Sequence, residues 1–509
     1  MKILRLIFSK YFLSVLLLLI QIAALVLIAI IFNDFFPLVN IAVRILGVIV
    51  FVIIVNRKQS PEYKLPWIFL VLAFPVFGLL CFIMFGNQRL RPTESRVIHL
   101  TEERLNPYFE KSEEEQKELE NYLGERIGYE NHLLEASGTR GFLHNDITYY
   151  EVGEKLWHDL LEELSRAKKF IMMEYFIVDK GLMWDKIHEI LKEKAKEGVE
   201  IFFMYDDVGC MTMLPSGYYK KLRKEGIKCY KFNKLLPFIN GIYNNRDHRK
   251  ITVIDGLVGF TGGVNLGDEY INVDHRLGHW KDTGLRIKGP AVNNLTKLFL
   301  ETYSMNANLI IDPDLYINEN PIKYENEGYI NIFGDGPKPF YDQQVGENNF
   351  LNMITSAKKY VYITTPYLII DNNVTTALKL AAEKGVDVRI ITPHIPDKKM
   401  VFAMTRSNYK YLRESGVKIY EYTPGFIHAK TAICDDEIAF VGTINLDYRS
   451  LTHHFECGAM LVKVPCIEDI KKDFAHIFDV SMLVDDNNVK INWFRKLLAK
   501  FLKIFDVLL

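Results

Sequence analysis

The chain has 509 residues, with 62 Lys and Arg against 63 Asp and Glu, a formal net charge of −1, 49% hydrophobic and 25% charged residues. That balance excludes a nucleic-acid binder working by bulk basicity, because phosphate neutralisation needs surplus positive charge, and it excludes a disordered chain. The six cysteines (Cys81, Cys210, Cys229, Cys434, Cys457 and Cys466) contain no Cys-x-x-Cys pair, so neither a disulfide framework nor a cysteine-rich zinc site is expected.

Residues 1–86 read as a membrane anchor of two or three helices. Residues 12–32 and 65–85 carry no charge, and 38–55 are interrupted only by Arg44. A bilayer core takes about 20 apolar residues in helix, so the first and third runs are long enough to span. The second is marginal, since a mid-span Arg costs about 2.5–3.5 kcal/mol. The first run is too long for the apolar region of a cleaved signal peptide, and further apolar runs follow at once. Buried core helices are the other reading of these segments. Lys2, Arg5 and Lys10 precede the first run, and Arg57, Lys58 and Lys64 separate the second and third. Three spans put both clusters in the cytoplasm and the remainder outside. Two spans keep the remainder on the side of the N-terminus, so the orientation stays open.

Residues 87–137 form a polar connector, with an exposed helix expected from Ser112 onward. After it, apolar strand-like runs alternate with amphipathic stretches: strands at 170–177 and 199–205, a helix at 184–196. This alternation predicts an α/β sheet. The pattern then repeats. Residues 359–367 resemble 169–177, 385–391 resemble 198–204, and 416–420 resemble 226–230. Three matches in the same order mark an internal duplication, read as two similar domains over 138–325 and 326–485. In the tail, 486–509, Trp493, Leu497, Leu498, Phe501, Phe505 and Leu508 fall at helical spacing, with Lys496, Lys500 and Lys503 on another face. An interfacial helix meeting anionic lipid and a terminal helix docked on the core both fit.

Each repeat carries the same constellation. The first has His248, Lys250 and Asp255, then Gly262 and Asn265. The second has His428, Lys430 and Asp435, then Gly442 and Asn445, at identical spacing. A single such match is weak, and a lone strand histidine is ordinarily structural. Two copies reverse that judgement. In an extended segment His and Lys two apart share a face. If the halves pack about a pseudo-twofold axis, two imidazoles and two ammonium groups converge on an anion, for which a phosphodiester is the best fit. The lysines hold the non-bridging oxygens, one neutral imidazole attacks phosphorus, and the other, protonated, serves the leaving alkoxide. A nucleophilic imidazole needs its far nitrogen oriented. Glu456, downstream of His428, and Asp282, downstream of His248, are the candidate carboxylates. Asp255 and Asp435 stand at an odd offset from their histidines, which points them the other way and favours a part in local structure.

The duplicated motif resembles the phospholipase D superfamily. More narrowly, Glu174-Tyr-Phe-Ile177, Trp280-Lys-Asp282, Gly289-Pro-Ala-Val292, Thr365-Pro-Tyr367 and Asn445-Leu-Asp-Tyr-Arg-Ser450 resemble bacterial cardiolipin synthases. The resemblance covers essentially the whole chain. It implies two duplicated α/β/α domains packed with pseudo-twofold symmetry behind N-terminal transmembrane helices, in a multi-pass protein of the bacterial cell membrane. It implies phosphatidyl transfer between two phosphatidylglycerol molecules, giving cardiolipin and glycerol, with no metal or nucleotide cofactor and no nucleic-acid partner. The implied catalytic set is His248, Lys250, Asp255, His428, Lys430 and Asp435. Asn265, Asn445, Asp282, Glu456 and Thr443 bind substrate or support that set. Family precedent makes His248 the nucleophile and His428 the acid and base, although the symmetry of the motif allows the reverse. Gly263 departs from the Ser or Thr usual at its place, where Thr443 fits, so one phosphate contact is expected to be weaker. A hydrolytic phospholipase D and a catalytically silent membrane scaffold are the rival readings, and an oligomer is compatible with either.

Overall fold

A computed structural model describes residues 16, 19–24, 26–28, 30–31, 37–57, 61–86, 90–234, 244–326, 328–338 and 340–488. The expected first span is described in part, and its described residues are helical; the tail helix lies outside the described residues from 489 onward.

The body is mixed α/β with two sheets of the same design. The first holds β1 (Asp146–Tyr150), β2 (Phe170–Tyr175), β3 (Glu200–Asp206), β4 (Lys228–Phe232), β5 (Lys250–Ile254), β6 (Val258–Gly262) and β8 (Gly284–Lys288), ordered β1-β8-β6-β5-β2-β3-β4. A short β7 (His279–Lys281) precedes β8. The second holds β9 (Tyr329–Asp335), β10 (Tyr360–Thr364), β12 (Asp387–Pro393), β13 (Lys418–Tyr422), β15 (Thr431–Cys434), β16 (Ile438–Gly442), β18 (Glu456–Val462) and β19 (Ser481–Leu483), ordered β9-β18-β16-β15-β10-β12-β13-β19. Strand for strand the order is shared, with β19 added at one edge. Between these strands come three two- or three-residue strands, β11 (Leu368–Ile369), β14 (Gly425–Ile427) and β17 (Leu446–Asp447).

The strands follow from their sequences. All six residues of β2 are buried, as expected of a central strand covered on both faces. It runs parallel to β3 and antiparallel to β5. Parallel neighbours need crossovers, and the helix Leu182–Lys196 supplies the one between β2 and β3. The antiparallel β5–β6 hairpin turns on Asp255 and Gly256, with φ of 55° and 68°. The Leu257 N–H closes that turn on the Ile254 carbonyl at 2.9 Å within the three-residue loop 255–257; two positive φ values give a turn that matches strand twist, and Asp-Gly is a favoured pair there.

The helix Val292–Ala307 is buried from Val292 to Met305. Its Leu295, Leu298 and Phe299 belong to one apolar cluster with Ile251 and Val253 of the first sheet and Ile332, Ala439, Val441 and Ala459 of the second. The two sheets therefore share a core.

The N-terminal helices are α1 (Pro37–Val55), α2 (Pro61–Ala73) and α3 (Pro75–Phe85). Among the described residues no helix is long and apolar enough to cross a membrane. The apolar run 65–85, continuous in sequence, is divided between α2 and α3. Pro75 lacks a backbone donor and disfavours helical geometry at the residue before it, and Phe74 sits at φ −132° and ψ 72°. The chain folds back so tightly that a Cβ on Gly78 would lie 2.1 Å from the Leu70 carbonyl oxygen. Ile41, Ile45, Ile49 and Val52 on α1, and Phe69 and Leu72 on α2, remain exposed. At the start of α2, Tyr63 packs against Tyr448, Ile369 and Met404 of the second half and edge-on to His453.

Candidate active site

Both His-x-Lys segments lie just before a strand, at the seam between the sheets. The His248 backbone N–H donates to the Phe455 carbonyl at 2.9 Å, and that of His428 to the Lys281 carbonyl at 2.7 Å. β7 pairs in parallel with β14, which leads into His428. Each half thus stitches its histidine onto the other half.

The carboxylates complete the exchange. His248 Nδ1 lies 2.9 Å from Glu456 Oε2, and His428 Nδ1 lies 2.6 Å from Asp282 Oδ2. Chain order sets Glu456 after His428 and Asp282 after His248, whereas the fold crosses the partners. An Nδ1–H donating to a carboxylate leaves Nε2 with its lone pair, the form a nucleophile requires.

Burial governs the electrostatics. It pushes His248 down to about 3 and His428 down to about 4, against the opposing pull of Glu456 and Asp282. It also pushes Lys250 down to about 8 and Lys430 down to about 7. Each lysine is acted on by both Glu456 and Asp282, which ties the residues of the two halves into one cluster. Burial works to raise Glu456 and Asp282. The neighbouring imidazoles outweigh it and hold both carboxyls below their usual range. The Lys250 and Lys430 amines donate to the carbonyls of their own histidines. A phosphodiester monoanion entering between them favours charge on the two lysines and on one imidazole, while the other imidazole stays neutral as a nucleophile must.

The remaining candidate residues have distinct places. The Thr443 hydroxyl donates to Glu456 Oε2 and accepts from the Cys457 N–H at 3.0 Å. It supports the carboxylate, one of the two parts its family position implies. Gly263 is explained by the same geometry: a Cβ there would lie 2.0 Å from Asp282 Oδ1. Replacing Gly263 with Ser is expected to displace Asp282 and lower activity about 10- to 100-fold, the usual cost of disturbing an orienting partner; steady-state assays beside a thermal melt check this. Asn265 accepts from the Ile177 N–H at 3.0 Å and donates to the Tyr270 hydroxyl at 2.8 Å, so it fixes the walls of the site. Asn445 is buried, and its Oδ1 has no hydrogen-bond partner among the described residues.

Asp255 and Asp435 do not belong to this cluster, which corrects their inclusion in the catalytic set. They lie beyond the far ends of β5 and β15. Asp255 accepts from the backbone N–H groups of Lys168, Lys169 and Phe170 at 2.8, 2.7 and 2.9 Å. Asp435 does the same for Lys358, Lys359 and Tyr360 at 2.6, 2.8 and 2.8 Å.

Several residues of the site escaped the sequence. Phe176 stands edge-on to His248 at 5.0 Å between ring centroids, and Trp280 and Tyr270 flank His428 at 5.4 and 5.7 Å. These rings exclude water. Arg249 is fully buried and donates to the carbonyls of Glu456 and Leu298 at 3.0 and 3.1 Å and to the Tyr341 hydroxyl at 3.2 Å. His454 lies 5.5 Å from His248, ring to ring. Arg249 faces Ala429 across the repeat, so duplication gave it no emphasis.

The fold and its paired His-Lys segments define a duplicated phospholipase D-type enzyme. The family described as cardiolipin synthase, PLD-like domain, matches residues 160–299 and 350–478, and the phospholipase D-nuclease N-terminal family matches 45–87. The chain belongs to the cardiolipin synthase family of phospholipase D-like proteins. A cardiolipin synthase of Halalkalibacterium halodurans is 35% identical over 91% of this chain and 90% of that protein. One from Geobacillus sp. is 37% identical over 82% and 83%. An uncharacterised protein of Streptococcus mutans is 41% identical over 83% and 91%. The crystal structure of phosphatidylserine synthase from Haemophilus influenzae shares the fold, with a TM-score of 0.55 at 16% identity over 75% of this chain and 98% of that one.

Proposed function

We propose that this chain is a cardiolipin synthase that works through a covalent phosphohistidine. The crossed His–carboxylate pairs, at 2.9 and 2.6 Å, carry this reading, because each imidazole is oriented by a carboxylate of the other half and Lys250 acts on both His428 and Lys430. His248 Nε2 attacks the phosphorus of one phosphatidylglycerol. A P–N bond forms, the P–O bond to glycerol breaks, and His428 gives its proton to the departing alkoxide. A second phosphatidylglycerol then places its terminal hydroxyl at the same phosphorus. His428 takes the hydroxyl proton, the new P–O bond forms, and the P–N bond to His248 breaks. Cardiolipin and glycerol leave, and both histidines return to their starting states. Lys250 and Lys430 hold the non-bridging oxygens throughout, and the ordered acceptor outcompetes water by its effective concentration.

The exposed apolar faces of α1 and α2 support anchoring in the cell membrane by several passes, with the halves 138–325 and 326–485 held beside the lipid they use. Incubating the purified chain with phosphatidylglycerol alone is expected to yield cardiolipin and glycerol in equal amounts. Phosphatidic acid as the dominant product would replace the reading with hydrolysis.

Burial pushes Lys430 down to about 7 and Lys250 down to about 8, so both amines lose charge as pH rises through those values. Binding of the anionic headgroup needs the charge. KM for phosphatidylglycerol is therefore expected to rise between about pH 7 and pH 9, and Lys430→Arg, whose guanidinium stays charged, to remove the lower part of the rise and leave the part set by Lys250.

A further inference from the structure

His454 has no part in the transfer just described, and it has no counterpart beside His428. Its Nδ1 faces Glu456 Oε1 at 3.6 Å, while His248 Nδ1 faces Oε2 of the same carboxylate at 2.9 Å. The three ligand atoms, one from each residue, lie within 4.8 Å of one another. Glu456 is completely buried. Its Oε1 and His454 Nδ1 are both buried without a hydrogen-bond partner among the described residues. This is the only such grouping of His, Cys, Asp and Glu among the described residues.

We propose that His248, His454 and Glu456 form a binding site for a zinc-class divalent cation, and that its occupancy switches the enzyme off. Two imidazoles and a carboxylate are a donor set that suits zinc, which takes His nitrogen and carboxylate oxygen at about 2.0–2.2 Å in tetrahedral array. Such bonds put neighbouring ligand atoms roughly 3.3 Å apart, and the three atoms already lie within 4.8 Å of one another. The fourth position is left to water or a phosphate oxygen. Magnesium prefers an all-oxygen octahedron and does not fit. Coordination through His248 Nδ1 breaks its hydrogen bond to Glu456. The Nδ1 proton is exchanged through solvent for one on Nε2, a nitrogen–metal bond takes its place at Nδ1, and the ring stays neutral with no electron transferred. Nε2 then carries a proton and has no lone pair to offer phosphorus, so the attack is lost. Beside the other histidine, His428 and Asp282 provide two such ligands and, among the described residues, no third, so the cation takes one side of the duplicated site.

The inhibitory part of this proposal rests on the transferase reading, whereas binding does not. The test uses the full chain in detergent, stripped with EDTA and titrated calorimetrically with zinc chloride. One zinc per chain is expected, with a raised thermal midpoint and loss of cardiolipin formation that EDTA reverses. His454→Asn should weaken zinc binding at least about tenfold and remove the thermal shift, whereas Asp282→Asn should leave the affinity nearly unchanged. Inhibition is scored against each variant's own activity in EDTA. Equal zinc affinity in wild type and His454→Asn would overturn the site. So would the absence of stoichiometric binding, and binding without inhibition would overturn the link to His248. If the chain makes no cardiolipin under any condition, the calorimetric and thermal results still decide the site.

Discussion

Replacing His248 with Asn is expected to lower phosphatidyl transfer by about 10⁴-fold, the scale on which removal of a covalent nucleophile acts. The covalent adduct, trapped by rapid acid quench of labelled phosphatidylglycerol and mapped by peptide mass, should disappear with it. The crossed geometry adds a sharper expectation. Glu456→Gln removes the acceptor of the His248 Nδ1 proton, so it should slow formation of the adduct. Asp282→Asn acts on His428, so it should slow proton delivery and capture of the acceptor. Each loss is expected at about 10²- to 10⁴-fold, the range of acid–base contributions. With a phosphatidyl donor whose leaving group is p-nitrophenolate, which departs without a proton, adduct formation that survives Asp282→Asn but not Glu456→Gln distinguishes the crossed arrangement from one in which each half supplies its own partner. Under the reverse pattern, the histidine to which the adduct maps tells an uncrossed pair from a His428 nucleophile.

Replacing Asp255 with Ala is expected to destabilise the protein by about 3 kcal/mol or more, since three backbone donors lose a charged acceptor together. Alanine also resists the positive φ of that turn residue. Asp255→Asn, which tolerates the same backbone conformation, should lose less. Urea unfolding of the three proteins gives the comparison. The transfer rate per folded molecule should change little, because the carboxylate lies at the other end of β5 from the imidazole. A collapse in that rate at unchanged stability would return Asp255 to the chemistry.

Much of this site was legible because it was written twice. His248 with Lys250 and His428 with Lys430 stood out by repetition, and Asp255 and Asp435 declared their direction through an odd offset along a strand. Glu456 and Asp282 were visible as candidates, but the exchange of partners was not. It depends on how two sheets meet, and no local pattern encodes that. Arg249 and His454 lacked a duplicate and so lacked a signal. In the fold, the matched segments 169–177 and 359–367 announced two similar sheets. The run 65–85 is unbroken in hydropathy, yet Pro75 divides it into two helices, because backbone geometry at a proline is indifferent to how apolar the neighbours are. Thr443 was legible as a residue that binds substrate or supports the catalytic set, and its hydroxyl serves Glu456, a contact that only the packed second sheet creates.

The helix Val292–Ala307 and the cluster around it have a further consequence. Domains that close on a ligand do so by sliding or hinging across a thin, largely polar boundary. Here the boundary is a dry interior crowded with Leu295, Leu298, Phe299 and Ile332, so the two lobes cannot gape without exposing it. Turnover must then proceed in a jaw of fixed width, and the slow event falls to the lipid, whose headgroup has to be lifted out of its leaflet to meet stationary machinery.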